Sequence, residues 1–127
     1  MVYNASSPDE LALVNGARHF GFSFRERDEN SCMVIDLLRT GGQLKYELLN
    51  VIEFDSARKR MTVIVRTPEG KIMVVCKGAD SIIEKRLRPG QGVLPTTNKF
   101  LEEYANEGLR TLLIAYRYVT EDFFNEW

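Results

Sequence analysis

The sequence predicts an α+β fold in which helices flank one antiparallel β-sheet. From Phe22 to Cys76, hydrophobic residues mostly recur at a period of two, which is typical of half-buried strands. Two glycine-containing turns interrupt this pattern where hairpins would place them, and helical signals lie in the segments before and after it. The 127 residues are 44% hydrophobic and 28% charged, so we expect one globular domain spanning 1–127.

The first predicted element is a helix with a defined start and end. Ser7 suits the N-cap, Pro8 the first helical position and Glu10 the third, which together make a capping box. Apolar residues follow at helical spacing, and Gly21 marks the end of the pattern. We therefore expect a helix from about Ser7 to Phe20.

An antiparallel meander is expected next. Thr40-Gly41-Gly42-Gln43 and Thr67-Pro68-Glu69-Gly70 are both hairpin-turn sequences, because glycine supplies the positive φ angles that tight turns need. The alternation runs as far as Phe54, which is therefore expected at the end of a strand. The predicted strand segments are Phe22–Arg25, Met33–Leu37, Leu44–Phe54, Met61–Val65 and Lys71–Cys76.

Helices dominate the C-terminal part of the chain, with one further strand. Capping residues define the helix starts, and Gly108 occupies a typical position after a helix end. The predicted elements are a helix from Asp80 or Ser81 to Leu87, a loop over Pro89–Pro95, a helix from Thr96 or Thr97 to Gly108, a strand over Leu109–Val119 and a helix from Thr120.

Composition disfavours two classes of partner, nucleic acid and anionic membranes. Seventeen basic and eighteen acidic residues give a net charge of −1, whereas a general nucleic-acid or anionic-membrane binder normally carries a basic excess. No stretch is long and apolar enough to cross a bilayer, and the first residues lack a signal-peptide pattern. Cys32 and Cys76 lie in apolar strand segments, which favours a reducing compartment over a disulfide framework.

The sequence contains no self-contained catalytic machinery. His19 is the single histidine, and no cysteine or acidic pair accompanies it at zinc spacing, so we expect no metal site. The chain also has no nucleophile-elbow sequence and no phosphate-binding loop sequence. We therefore expect no catalytic residue in this chain.

Two predicted strand ends carry residues suited to an aromatic, anionic ligand. Phe54 precedes the basic turn Arg58-Lys59-Arg60, and such an arrangement can stack a base and attract phosphates. The residues alone favour a plainer interpretation, in which Phe54 belongs to the core and the basic residues are solvated. Lys77 and Gly78 follow another strand, where glycine permits close approach of a ligand, although Lys77 also fits an exposed strand end.

Glu10 and Arg110 are the remaining candidates. Helix capping alone explains Glu10, although capping and ligand binding need not exclude each other. Arg110 follows Gly108 and opens an apolar segment, where its guanidinium can hold a phosphate or satisfy helix carbonyl groups.

Taken in order, these four segments resemble the nucleotide-binding domain of a P-type ATPase. Two of these sequences resemble the type IV, lipid-flipping branch of the family: Ala5-Ser6-Ser7-Pro8-Asp9-Glu10 and Phe54-Asp55-Ser56. Cation pumps more often have Ser or Thr in place of Asp55. The resemblance covers nearly the whole chain. The matching motifs are Asp9-Glu10, Phe54-Asp55-Ser56-Ala57-Arg58-Lys59-Arg60-Met61, Lys77-Gly78-Ala79 and Gly108-Leu109-Arg110.

The resemblance implies a twisted antiparallel sheet flanked by helices, with ATP as the bound nucleotide. Phe54 would stack on adenine, Glu10 would lie at the edge of the base, and Lys77 would line the deep end of the pocket. Arg110 would reach towards the phosphates. The implied ATP-binding residues are Glu10, Phe54, Ser56, Lys59, Met61, Lys77, Gly78 and Arg110.

In pumps of this family the domain holds ATP while an aspartate of another domain accepts the γ-phosphate. The resemblance therefore implies that this chain is an excised piece of a phospholipid-translocating enzyme, at the cytosolic face of a membrane. Its partners would be the phosphorylation and membrane domains, the phospholipid and an accessory membrane subunit, with Mg²⁺ bound outside this chain. The chain lacks the Asp-Lys-Thr-Gly-Thr phosphorylation loop, so we expect the fragment not to turn over ATP. It also has no membrane-helix sequence, so we expect the fragment to be soluble, and we expect it to be monomeric.

Two alternative functions stay open at this point. The first is the nucleotide-binding domain of a cation-transporting P-type ATPase. The second is a non-enzymatic module that binds protein or nucleic acid through Arg58-Lys59-Arg60, and the near-neutral net charge counts against nucleic acid.

Overall fold

The computed structural model describes residues 8–127 as a six-stranded antiparallel sheet with flanking helices, so the predicted α+β class is confirmed. Neighbours in the sheet are also neighbours in the chain, from the first strand to the last. None of the helices in this part of the chain is long and apolar enough to span a membrane. The elements are α1 (Pro8–His19), β1 (Phe22–Arg27), β2 (Cys32–Leu37), β3 (Gln43–Ile52), β4 (Arg60–Arg66), β5 (Ile72–Gly78), α2 (Asp80–Glu84), α3 (Leu94–Asn106), β6 (Leu113–Val119) and α4 (Glu121–Glu126).

Local sequence signals determine both ends of α1. Asp9 and Glu10 lie in its first turn, where carboxylates interact favourably with the helix dipole. Gly21 has a φ of +101°, and its N–H donates to the carbonyl of Arg18, so glycine ends the helix as predicted. The predicted N-cap residue Ser7 lies outside the described residues.

Two strand boundaries differ from the predictions. β3 ends at Ile52, so Phe54 lies in the following turn and not on the strand. β6 begins at Leu113 and not at Leu109, because its partner β5 ends at Gly78, which pairs with Leu113. The length of a strand depends on its partner, which the amino-acid pattern of one segment does not report.

Two helix boundaries also differ. α3 begins at Leu94, ahead of the predicted start, because Pro95 fits the first helical turn, where its missing N–H costs nothing. α2 has Ala79 at its N-cap without a side-chain hydrogen bond, and it ends at Glu84, before the predicted Leu87. The predicted cap Asp80 instead accepts a hydrogen bond from the N–H of Ser81 at 2.8 Å.

The contacts of the chain divide it into two compact units, which are described separately. The first unit consists of the chain up to Leu49 together with the separate segment Val65–Lys71. Within it α1 packs against β1, β1 pairs with β2, and β2 pairs with β3. Val34 and Val65 are 4% and 3% exposed and belong to its core. Burying an aliphatic side chain stabilises a fold by about 1.5–3 kcal/mol, so these contacts hold the unit together.

The second unit comprises Asn50–Ile64 and Ile72–Trp127. In it β5 and β6 are antiparallel, and α2 packs against both strands. Ile83 of α2 is 1% exposed, so its burial anchors the helix that directly follows β5. This anchor fixes the direction in which the chain leaves the end of β5 at Gly78.

Candidate functional site

The turn between β3 and β4 is held by Asp55. Its Oδ1 accepts a hydrogen bond from the N–H of Arg58 at 2.6 Å. The carbonyl oxygen of Asp55 accepts a second one from the N–H of Lys59 at 2.8 Å. Aspartate commonly satisfies the backbone N–H groups that follow it in a turn. These bonds are the local reason why the chain turns after β3.

The side chain of Arg58 braces the same turn. Its guanidinium donates to the carbonyl oxygen of Glu53 at 3.2 Å and to Oγ1 of Thr62 at 3.5 Å. Thr62 lies on β4 and is 8% exposed, and its hydroxyl is 3.5 Å from Sγ of Cys76 on β5. The guanidinium therefore connects the residue that follows β3 with β4.

Phe54 is presented to solvent by this braced turn. It is 62% exposed, which corrects the plainer interpretation of Phe54 as a core residue. Ser56 lies in the same turn and is also exposed. Met61 follows on β4 and is half-buried. The turn thus presents an exposed aromatic ring, which is what stacking of a ligand requires.

Lys59 is held in an uncommon backbone conformation. Its φ is +57°, in the left-handed region that residues other than glycine rarely adopt. Strain of this kind occurs preferentially at functional sites. Lys59 is exposed, and no ion pair is recorded for it within residues 8–127. Its ammonium group is therefore available to an anion.

The end of β5 meets the turn at Gly78. A Cβ atom on this buried residue would lie 2.6 Å from the carbonyl oxygen of Lys59 and 2.9 Å from Cβ of Arg60. The N–H of Ala79 points to the same Lys59 carbonyl at 3.5 Å. Only glycine leaves room for this approach. The turn motif and the Lys77-Gly78-Ala79 motif, which are distant in sequence, are therefore in direct contact.

Lys77 and Arg110 both belong to the second unit. Lys77 is half-buried and immediately precedes Gly78. Arg110 is exposed and lies between α3 and β6, which corrects the prediction that it opens a strand. Arg110 precedes Leu113 by three residues, so the Cα atoms of these two residues are at most about 11 Å apart. Leu113 is the strand partner of Gly78. Lys77 is therefore at the end of β5, and the chain tethers Arg110 to the strand that pairs with it.

Glu10 lies in the first unit, in the first turn of α1, and is half-buried. The other predicted site residues, from Phe54 to Arg110, all belong to the second unit. The role predicted for Glu10 at the edge of a base stays a prediction.

Asp55 and Arg58 shape the turn, although neither was predicted as an ATP-binding residue. Asp55 had a recognisable signal, since aspartate before a short polar segment is typical of a turn closed by its own side chain. Arg58 had no comparable signal, and it was interpreted as one of three solvated cations. In the structure Arg58 bonds to the carbonyl of Glu53, and the guanidinium of Arg60 donates to the carbonyl of Arg58 at 3.1 Å. Two of the three cations are therefore engaged with the backbone.

The chemistry of this site suits a nucleotide better than a metal ion. Phe54 offers a stacking surface for a base, and Lys59 and Lys77 are cations for phosphates. Within the described residues, no three His, Cys, Asp or Glu side chains are grouped to hold a metal. The two thiols of Cys32 and Cys76 are free. The two cavities described in the second unit are lined by other residues.

A family model matches about two thirds of the chain. Residues 4–88 match the model described as P-type ATPase, cytoplasmic domain N. The match includes α1, the turn after β3 and the end of β5, whereas Arg110 lies beyond it.

Curated relatives align over nearly the whole chain. Phospholipid-transporting ATPase ID of Mus musculus is 49% identical over 128 residues, which are 100% of this chain and 10% of the relative. Probable phospholipid-transporting ATPase 5 of Arabidopsis thaliana is 47% identical over 98% of this chain and 10% of its own length. Phospholipid-transporting ATPase IC of Homo sapiens is 46% identical over the same shares. The chain thus spans about a tenth of the length of these relatives.

Proposed function

Because this chain belongs to the P-type ATPase cytoplasmic domain N family, as its motifs predicted, we propose that it is the ATP-binding part of a phospholipid-translocating pump. In this proposal the chain binds and orients ATP and breaks no bond itself. The aspartate that accepts the γ-phosphate and the site for Mg²⁺ belong to other parts of the pump. The relatives named above are phospholipid transporters, which favours a lipid over a cation as the transported substrate.

The exposed ring of Phe54 on a braced turn is the observation that carries the proposal. The bonds of Asp55 and Arg58 hold the turn before any ligand arrives, so little conformational entropy is lost on binding. Base stacking on an aromatic side chain contributes about 1–3 kcal/mol. The ring of Phe54 is therefore proposed as the surface on which adenine stacks.

The end of β5 is proposed as the phosphate side of the site. Gly78 brings the Lys77 segment against the turn that carries Phe54 and Lys59. Lys77, Lys59 and Arg110 then supply positive charge for the triphosphate. Ser56 and Met61 are proposed to shape the wall beside the base.

The wider setting of the chain follows from the same proposal. We propose that residues 1–127 act as one nucleotide-binding domain at the cytosolic face of a membrane. The phosphorylation and membrane domains, the phospholipid and an accessory membrane subunit would then be its partners. By itself the chain is proposed to be monomeric, to bind no nucleic acid and to bind ATP without hydrolysing it.

Isothermal titration calorimetry with ATP, ADP and AMP tests the site. We expect the affinity to fall from ATP to AMP as phosphates are removed, because cations at the end of β5 bind them. Phe54→Ala should weaken ATP binding by about tenfold, the loss of one stacking contact. Phe20→Ala is the matched control, since Phe20 is 68% exposed and lies in the first unit.

The two variants separate a site from a general effect of removing an exposed ring. Equal affinities of the Phe54 variant and the original chain would remove Phe54 from the site. Equal losses in both variants would show that the effect is not local. No detectable ATP binding by the folded chain would contradict the proposal that this part of the pump holds the nucleotide.

A further inference from the structure

A chain of three side-chain contacts connects β5 with the turn that carries Phe54. It begins at Sγ of Cys76 on β5, which lies 3.5 Å from Oγ1 of Thr62 on β4. The same hydroxyl oxygen lies 3.5 Å from one terminal nitrogen of the Arg58 guanidinium. The other terminal nitrogen donates to the carbonyl oxygen of Glu53 at 3.2 Å. Since Glu53 directly precedes Phe54, the contacts end at the backbone beside the proposed stacking ring.

The hydroxyl of Thr62 has the chemistry that the middle of this chain of contacts needs. A hydroxyl group donates one hydrogen bond and can accept others. Here its oxygen accepts from the guanidinium of Arg58, and its hydrogen is donated to the sulfur of Cys76. One group of Thr62 therefore connects a side chain of the turn with a side chain of the neighbouring strand.

Packing alone does not require a hydroxyl group at this position. Thr62 is 8% exposed and lies between Met61 and Val63 in a largely apolar strand. It also lines a cavity of about 230 Å³ whose other described lining residues are aliphatic or aromatic. Valine has a similar branched shape and a high preference for strands, and it would bury no polar group here. The hydroxyl is therefore better explained by its two partners than by the core.

Thr67 carries a second buried hydroxyl, and its contact is of a different kind. Thr67 is 6% exposed, and its Oγ1 accepts a hydrogen bond from the N–H of Lys71 at 3.2 Å. This bond closes the hairpin turn between β4 and β5, in the first unit. Its loss is therefore expected to affect stability alone.

We propose that Thr62 is a positioning residue for ATP, an inference that rests on the proposed function. Its hydroxyl keeps the guanidinium of Arg58 in place, and the guanidinium in turn holds the backbone that carries Phe54. Through Cys76, the same hydroxyl ties this turn to β5, one residue before Lys77. Thr62 thus fixes the stacking ring relative to the strand that carries a phosphate-binding lysine, and it does so without contacting the nucleotide.

Loss of the hydroxyl would act on binding through conformational entropy. The guanidinium of Arg58 would keep its bond to the carbonyl of Glu53 but lose its attachment to β4. The turn and the ring of Phe54 would then sample more orientations in the free chain. Binding would have to order them again, so the affinity for ATP would fall.

The test compares ATP binding by variants of the 127-residue chain in ¹⁵N NMR titrations. Thr62→Val should raise the dissociation constant by about fivefold, less than the tenfold or so expected when the ring itself is removed. Thr62→Ser keeps the hydroxyl and should bind within about twofold of the original chain. The matched control is Thr67→Val, which should lower the urea midpoint and leave the dissociation constant unchanged.

A double-variant cycle with Phe54→Ala shows whether Thr62 acts through the ring. We expect that adding Thr62→Val to Phe54→Ala changes the dissociation constant by less than about twofold, because the ring that Thr62 positions is already absent. General damage to the fold would instead weaken binding equally with and without the ring.

Three results would overturn the inference and leave the proposed function in place. They are an unchanged ATP affinity of Thr62→Val, equal losses in the valine and serine variants, and additive losses in the double variant. Unchanged affinity of Phe54→Ala would contradict the proposed function itself, and the inference would fail with it. If the valine variant does not fold, Thr62→Ala and Thr62→Ser replace it because they differ by one hydroxyl oxygen, and equal affinities of that pair would overturn the inference.

Discussion

Replacing Gly78 by alanine tests the contact that joins the two motifs of the proposed site. An added Cβ would lie 2.6 Å from the carbonyl oxygen of Lys59 and 2.9 Å and 3.0 Å from Cβ and Cα of Arg60. Ordinary van der Waals contact for a Cβ atom begins at 3.4 Å, so the strand and the turn must separate by about 0.8 Å. Two of the three atoms are backbone, so a change of side-chain rotamer alone does not relieve the clash.

The expected effects are on both stability and affinity. Overpacking of this kind lowers the free energy of unfolding by about 1–3 kcal/mol. The separation also lengthens the 3.5 Å approach of the Ala79 N–H to the Lys59 carbonyl, which moves the turn with Phe54 away from Lys77. We expect ATP affinity to fall about fivefold or more, equivalent to losing about 1 kcal/mol of stacking energy.

Urea denaturation and calorimetric titration with ATP measure the two effects. The matched control is Gly16→Ala, since Gly16 lies within α1 and a Cβ added there would meet no neighbouring atom within 4 Å. The control should gain about 0.5–1 kcal/mol of stability from the higher helix propensity of alanine. Unchanged stability of the Gly78 variant would refute the steric reasoning. Lost stability with unchanged ATP affinity would separate this contact from the site.

Three further predictions concern the turn and the phosphate side. Asp55→Ala should lower the free energy of unfolding by about 1 kcal/mol in urea denaturation, because the N–H of Arg58 loses its acceptor; an unchanged midpoint would contradict this. Lys59→Gly should raise the free energy of unfolding by about 1 kcal/mol, because glycine adopts the positive φ without strain. The same variant should weaken ATP binding, because it removes the ammonium group. A rise, or a fall, in both the free energy of unfolding and the ATP affinity would contradict the proposal. Lys77→Ala and Arg110→Ala should weaken ATP binding more at low salt than at high salt, and a salt-independent loss in calorimetry would indicate damaged packing instead.

Much of the fold could be predicted because its signals are local. The glycine at position 21 ends α1, and alternating apolar residues predict β2 and β3 from neighbouring residues alone. The start of β6 at Leu113 and the start of α3 at Leu94 could not be predicted in the same way. A strand needs a partner, and proline is accepted at a helix start or rejected inside a helix depending on where the helix begins.

The sequence also predicted the residue types of the proposed site, but it did not predict how exposed each side chain is or which segments it contacts. Motif order alone pointed to Phe54, Lys77 and Arg110 as candidates for nucleotide binding, and the family membership implied by those motifs is confirmed. Composition favoured Phe54 as a core residue, and the structure shows it exposed. The difference arises because Asp55 and Arg58 end the strand early, through bonds that involve Glu53 and β4.

The order of amino acids was therefore enough for the class of fold and the family, and it predicted the kinds of side chain proposed to contact an adenine nucleotide. Folding in three dimensions decided which of those side chains face solvent and which segments touch. The contact between Gly78 and the carbonyl of Lys59 illustrates the reason. Steric exclusion acts between atoms that are close in space, so the need for glycine at this point arises only when β5 and the turn are packed together.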